Sequence, residues 1–232
     1  MATDRSVGFG SKTTHKPLPL SANPKRRARE LANWISTDEA SDVFASVRHA
    51  IRVASFVAED PLAWKWIALA LHSALQGACV CHLTTTQTPI GAVTKRNAAE
   101  WLRYDEERRS NSDARRPQTY LMNLPSLLKA IRKPRSAGDG SNESGVLVSE
   151  LELEWLCSFH ETIRNQFTHF APMGWSVEVS GIPELGKLIG RIIGDIVDMH
   201  WGFRHVRIQE LRLFRCDIDK LARGDCFRNI SS

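Results

Sequence analysis

Three side chains close together in the phrase FHETIRNQFTHF, residues 159 to 170, have the types needed to work on a phosphodiester: Arg164, Asn165 and His169. A guanidinium is a planar fork for phosphate oxygens, and an imidazole titrates near neutral pH and so can move protons. An amide between them can orient both by hydrogen bonding. Read as a helix at about 100° per residue with Ile163 at zero, Leu156, Phe159, Phe167 and Phe170 all fall within about 40° of zero. This is the core stripe. On the same wheel Arg164 lies on the flank near about 100°, Asn165 near about 200° and His169 near about 240°. Asn165 and His169 are one turn apart, close enough for a hydrogen bond that would fix the imidazole tautomer. The face opposite the core stripe also carries Leu151, Trp155, Ser158 and Thr162, so it reads as a second packing surface rather than a purely solvated one.

The elements that must position this helix can be read from periodicity and punctuation. Ser149 followed by Glu152 is a capping box, which starts the site helix, and Pro172 and Gly174 stop it near Phe170. After Ser36, Asp38 and Glu39 suit a first helical turn, and Val43, Val47, Ile51, Ala54 and Val57 repeat at helical spacing. Asp60-Pro61 marks a restart, and residues 62 to 83 are apolar almost all round, as in a buried central helix. His72 lies in the middle of that segment and reads as a core histidine, with lining the site as the alternative; Trp64, Trp66, Trp101 and Trp201 also read as core, though an exposed one could stack a base. A polar helix is expected over 95 to 109, anchored by Trp101 and Leu102, and a short one over 127 to 132. GDGSNESG, 138 to 145, reads as a flexible linker, and WSVEVSG, 175 to 181, as a short strand or an extended turn, too short for a sheet. Pro183 opens the longest helix, with apolar positions continuing to Leu213 and with His200 and His205 on it. Together these predict an all-α bundle of four or five main helices, one domain over 24 to 232, with a flexible N-terminal tail over 1 to 23.

Composition allows this and excludes several alternatives. The 232 residues are 42% hydrophobic and 25% charged, the proportions of a globular chain and not of a collagenous or wholly disordered one. Trp66 to Cys81 is the most apolar stretch, but His72, Ser73 and Gln76 interrupt it, so no membrane span is expected. The first 24 residues lack the apolar run of a secretory signal, and the five cysteines are odd in number, which points to a reduced, cytoplasmic setting. Cys79, Cys81 and His82 read as buried small side chains. No pair of ligands has metal spacing, so neither a metal nor another cofactor is expected. Residues 1 to 36 hold 7 Lys/Arg against 2 Asp/Glu, and 95 to 135 hold 11 against 5, whereas 136 to 203 hold 3 against 10. Basic segments flanking an acidic centre are compatible with a polyanionic partner and equally with an ordinary solvated face; if the partner is RNA, Arg108, Arg109, Arg115 and Arg116 are its candidate contacts.

Arg164-Asn165-Gln166-Phe167-Thr168-His169 in an all-helical setting resembles the Arg, polar residue, then His motif of the HEPN superfamily of nucleotide-binding and RNA-cleaving domains. The resemblance covers roughly residues 37 to 215. It implies a metal-independent endoribonuclease, in many cases a toxin or defence effector, with its site at a homodimer cleft. Arg164 would then bind the scissile phosphate, His169 would act as acid or base, and Asn165 would orient them. A protein antitoxin is a further partner the resemblance leaves open, and no segment identifies one. No second effector domain accompanies the bundle, and the basic segment over 95 to 135 is not part of the motif.

Two other readings stand beside this one: a non-catalytic HEPN-like domain that binds RNA or a nucleotide, and a helical interaction protein whose second face only makes an oligomer. Arg164 could merely pair with Glu161, and His169 could simply be a cation favoured by a helix C-terminus.

Overall fold

The longest apolar segment of the sequence becomes the axis of the fold. The computed structural model, which describes residues 35–168, 174 and 176–230, has seven helices of eight or more residues, this segment among them. They are α1 (Glu39–Ala54), α2 (Ala63–Leu83), α3 (Lys95–Glu107), α4 (Leu124–Ile131), α5 (Glu150–Ser158), α6 (Ile182–Asp198) and α7 (Ile208–Ala222). Five of these have 13 residues or more, in keeping with the expected number of main helices. The protein is all-α; a single antiparallel bridge, Val93–Leu121, is the extent of β pairing among the described residues. The tail expected over 1 to 23 lies outside them.

Helix α2 has the length and apolarity to cross a membrane, but its side chains are consumed by the core. Ile67, Leu71, Leu75 and Ala78 are fully buried, and α1, α4 and α6 pack around them. α1 contributes Val43, Val47 and Ala50, and α6 contributes Ile189, Ile192, Ile193 and Ile196. Burying each such branched side chain contributes about 1.5–3 kcal/mol, so α2 carries much of the drive to fold. Small residues allow the close approaches: a Cβ on Gly77 of α2 would sit 2.7 Å from Val43 Cγ2 of α1, and one on Gly190 would sit 2.7 Å from the backbone nitrogen of Ala222.

The helix ends follow the expected chemistry. Asp38 caps α1 by accepting from the Ser41 amide at 2.7 Å, and Asp60 Oδ1 accepts from the Leu62 amide at the restart. Ser149 and Glu152 form the full capping box of α5.

Four expectations are corrected. The long C-terminal helix is two helices, because α6 ends at Asp198 and His200 adopts φ 62°, a left-handed conformation that terminates a helix. Trp201 then donates to the Thr84 carbonyl at 3.0 Å and Arg204 lies 3.8 Å over its ring, fastening the connection to the end of α2. His200 and His205 lie in that connection, not on a helix. The Gly138–Gly145 segment is tied down rather than loose: the Gly138 amide donates to the His82 carbonyl, Ala137 donates to Asn142 Oδ1, and Val146 donates to the Ile131 carbonyl. Trp66 is 51% exposed and Leu102 53% exposed, so neither is core. Trp101 is buried, and its partner in anchoring α3 is Asn97, which is 1% exposed and bonds the Gln118 carbonyl and the Tyr120 amide.

Candidate functional site

The site helix does not keep α-helical register. α5 passes into a π-turn, Phe159–Arg164, and then into a short turn, Asn165–Thr168. In α-helical register Arg164 would lie about 140° round from Phe159. In a π-turn, hydrogen bonds run from i to i+5 and stack the two residues instead. Phe159 is 1% exposed and its ring lies 6.1 Å from that of His72 on α2, so the π-turn brings Arg164 round toward α2 as well.

The result is a cleft of about 580 Å³ between α1, α2 and the site helix. His72, Ser73 and Gln76 line it from α2, Asp38, Glu39 and Asp42 from the start of α1, and Arg164 and Thr168 from the site helix. Arg164 donates to Asn165 Oδ1 at 2.9 Å, so the amide holds the guanidinium instead of Glu161 doing so. Thr168 donates back to the Arg164 carbonyl at 3.0 Å, which closes the last described turn. Ser73 donates to Asp42 at 3.1 Å across the floor. Cationic and carboxylate groups thus face one cavity from opposite sides.

The π-turn also presents His160. Its Nδ1 is 2.8 Å from His72 Nε2, with the rings stacked at 5.1 Å between centroids and 19° between planes. His72 is 5% exposed. Burial, followed by the charges of His160 and Arg164, pushes its pKa down to about 4, so it is a neutral base at pH 7. His160 is shifted in the same direction by burial and then by Arg164, against a smaller opposing effect of Glu161.

Of the three residues singled out in the motif, Arg164 and Asn165 are brought together, with Arg164 in the cleft; His169 lies outside the described residues. His72 is the buried, hydrogen-bonded histidine its position suggests, and it also lines the cleft beside Arg164. An amphipathic wheel could not find the pair, because the π-turn shifts residues 160 and 164 out of α-helical register. The phrase FHETIR carried the only signal, a second histidine four residues before the arginine.

The four candidate RNA-contacting arginines follow or end α3 and do not line this cleft. Arg108 and Arg109 both pair with Asp105, Arg108 also donates to Gln87 at 2.6 Å, Arg116 lies 5.0 Å over the Trp101 ring, and Arg115 is exposed. Cys79 and Cys81 are buried, and burial raises both thiols, that of Cys81 to about 12. Among the described residues no group of three or more His, Cys, Asp or Glu is placed to hold a metal ion. The face with Leu151, 79% exposed, and Trp155, 40% exposed, is open to solvent in the single chain.

Comparison with protein-family models, curated sequences and solved structures returns no match.

Proposed function

We propose that the protein is an endoribonuclease of HEPN type that cleaves RNA by transesterification at the cleft holding Arg164. The observation that carries this reading is the placement of Arg164, held by Asn165, and a neutral histidine, His72, on one open cavity. In this reaction the ribose 2′-hydroxyl attacks the adjacent phosphorus. Arg164 neutralises the charge that develops on the phosphate oxygens, an interaction commonly worth 10²–10³ in rate. Asn165 fixes the guanidinium, and His169 exchanges a proton with the substrate as acid or base. The chemistry uses the substrate's own nucleophile, so a metal ion is not required. The arginines at 108, 109, 115 and 116 hold more distant phosphates.

A second copy of the chain completes the assembly in this reading. Leu151 and Trp155 leave an apolar face exposed beside the site helix, and a two-fold axis would bury it against itself. Sedimentation at micromolar concentration should then give a dimer, and a monomer would remove that part of the proposal.

Purified protein incubated with labelled RNA in excess chelator should leave 2′,3′-cyclic phosphate ends, and should fail on DNA and 2′-O-methyl RNA. Arg164→Ala and His169→Ala should each abolish most activity. RNA binding without cleavage would leave a non-catalytic binding domain, and neither binding nor cleavage would leave an interaction protein.

A further inference from the structure

Transesterification of RNA needs two proton transfers, one from the attacking 2′-hydroxyl and one to the departing 5′-oxygen, and the HEPN-like motif supplies a single histidine. We propose that His72 is the general base of the reaction and that His160 positions it through the 2.8 Å Nε2–Nδ1 hydrogen bond. The inference rests on the ribonuclease reading above and adds two residues to it.

The placement is specific. His72 comes from the buried central helix and lines the same cleft as Arg164, which would bind the phosphate. The hydrogen bond between the rings has two tautomeric forms. When His72 donates its Nε2 proton to His160 Nδ1, the ring is held against the π-turn and its unprotonated atom is Nδ1, the basic site. The two rings stack with 19° between their planes. Burial and the neighbouring cations keep it unprotonated at neutral pH, which is the state a base requires.

The step balances without a further reagent. His72 takes the 2′-proton, the 2′-oxygen forms a bond to phosphorus, the bond from phosphorus to the 5′-oxygen breaks, and His169 gives that oxygen a proton. Hydrolysis of the cyclic phosphate is not needed to complete the cleavage. The charged and titratable groups around the pair are Asp38, Glu39 and Asp42 on α1 and Glu161 and Arg164 on the π-turn, with Ser73, Gln76 and Thr168 as neutral polar neighbours.

A substrate with sulfur in place of the bridging 5′-oxygen separates acid from base, because a thiolate leaves without protonation. With ordinary RNA, His72→Asn and His169→Ala should each lose about 10²-fold or more in rate. With the 5′-thio substrate, His169→Ala should recover to near the wild-type rate while His72→Asn stays down. His160→Gln should lose about tenfold and move the acid limb of the rate profile to higher pH, since one cation-repelling neighbour of His72 is gone. A purely structural role for His160 would leave that limb in place. His72→Asn within threefold of wild type on ordinary RNA, or its recovery on the thio substrate, overturns the proposal. If that variant fails to fold, the His160→Gln limb decides. No cleavage by the wild type under any condition overturns the ribonuclease reading itself, whereas active wild type with an unaffected His72→Asn overturns only the base assignment.

Discussion

Two histidines ten residues apart on α2 are buried to a similar degree and have their pKa pushed down to about 4, yet only one faces a cavity. His72 meets His160 and Arg164 at the cleft. His82 is fully buried, its Nε2 is 2.9 Å from Ser136 Oγ, and its Nδ1 has no partner among the described residues. Ser136 in turn donates to the Ile131 carbonyl and accepts from Asn142 Nδ2, so His82 is the pin that holds the 133–146 segment onto α2. A depressed histidine pKa therefore reports burial at both places. What separates a candidate base from a structural pin is an open face shared with an anion-binding group.

The largest expected difference between the two is in activity. His72→Asn should lower the rate of RNA cleavage by about 10²-fold or more, whereas His82→Asn should leave the rate per folded molecule within about twofold. Equal losses in both variants would break the comparison, and the assay is single-turnover cleavage corrected for folded fraction.

Stability should show the reverse order. His82→Asn loses a buried hydrogen bond and leaves Ser136 short of a partner, at a cost of about 1–3 kcal/mol. Gly138→Ala should cost more, roughly 3–4 kcal/mol or about 6–16 °C in Tm, because the new Cβ would lie 2.1 Å from the Thr84 carbonyl oxygen. Thermal melts of both against His72→Asn measure the ranking. A tolerated Gly138→Ala would mean that the segment is the loose linker its composition suggests.

Acidification tests both histidines together. Unfolded, each binds a proton near pH 6.5, but folded, each resists until about pH 4. Across that window the unfolded chain holds more protons, so stability is full above about pH 6.5 and is lost as the pH falls toward 4. Each histidine contributes at most about 3.4 kcal/mol to this loss, at 1.36 kcal/mol per pKa unit. Urea midpoints at pH 7, 5.5 and 4.5 should fall steadily for the wild type and less steeply for either Asn variant. A flat profile would show that the two rings are less buried than described.

The smallest effect concerns the mixed charge of the cleft. Asp42→Asn removes a carboxylate facing the proposed phosphate site, and RNA affinity should rise about two- to fivefold at low salt and converge with wild type at high salt. Charge reversal at Arg108, Arg109, Arg115 and Arg116 should instead flatten the salt dependence.

Much of the bundle was legible because it rests on rules that local sequence obeys. The buried character of α2, the cap at Asp38 and the box at Ser149 follow from apolar periodicity and from side chains that bond their own backbone. The break at His200 was hidden because apolar spacing continues through it, and a left-handed histidine carries no compositional mark. The loop after Pro134 has the composition of a loose segment because Gly and Ser are abundant in it, but Ser136 and Gly138 are small enough to lie against the end of α2 and Gly145 against Arg132. At the site, Arg164 and Asn165 were legible as a motif. The His72–His160 pair was not, since it joins residues 88 apart and depends on a π-turn that shifts one ring into reach of the other.

The most direct test of the cleft is a crystal structure with a short 2′-O-methyl RNA, which can bind but cannot supply the nucleophile. A phosphate oxygen within hydrogen-bond distance of the Arg164 guanidinium, with the adjacent 2′-oxygen facing His72, is the predicted result. RNA lying along Arg108 to Arg116 with the Arg164 cleft empty would contradict it.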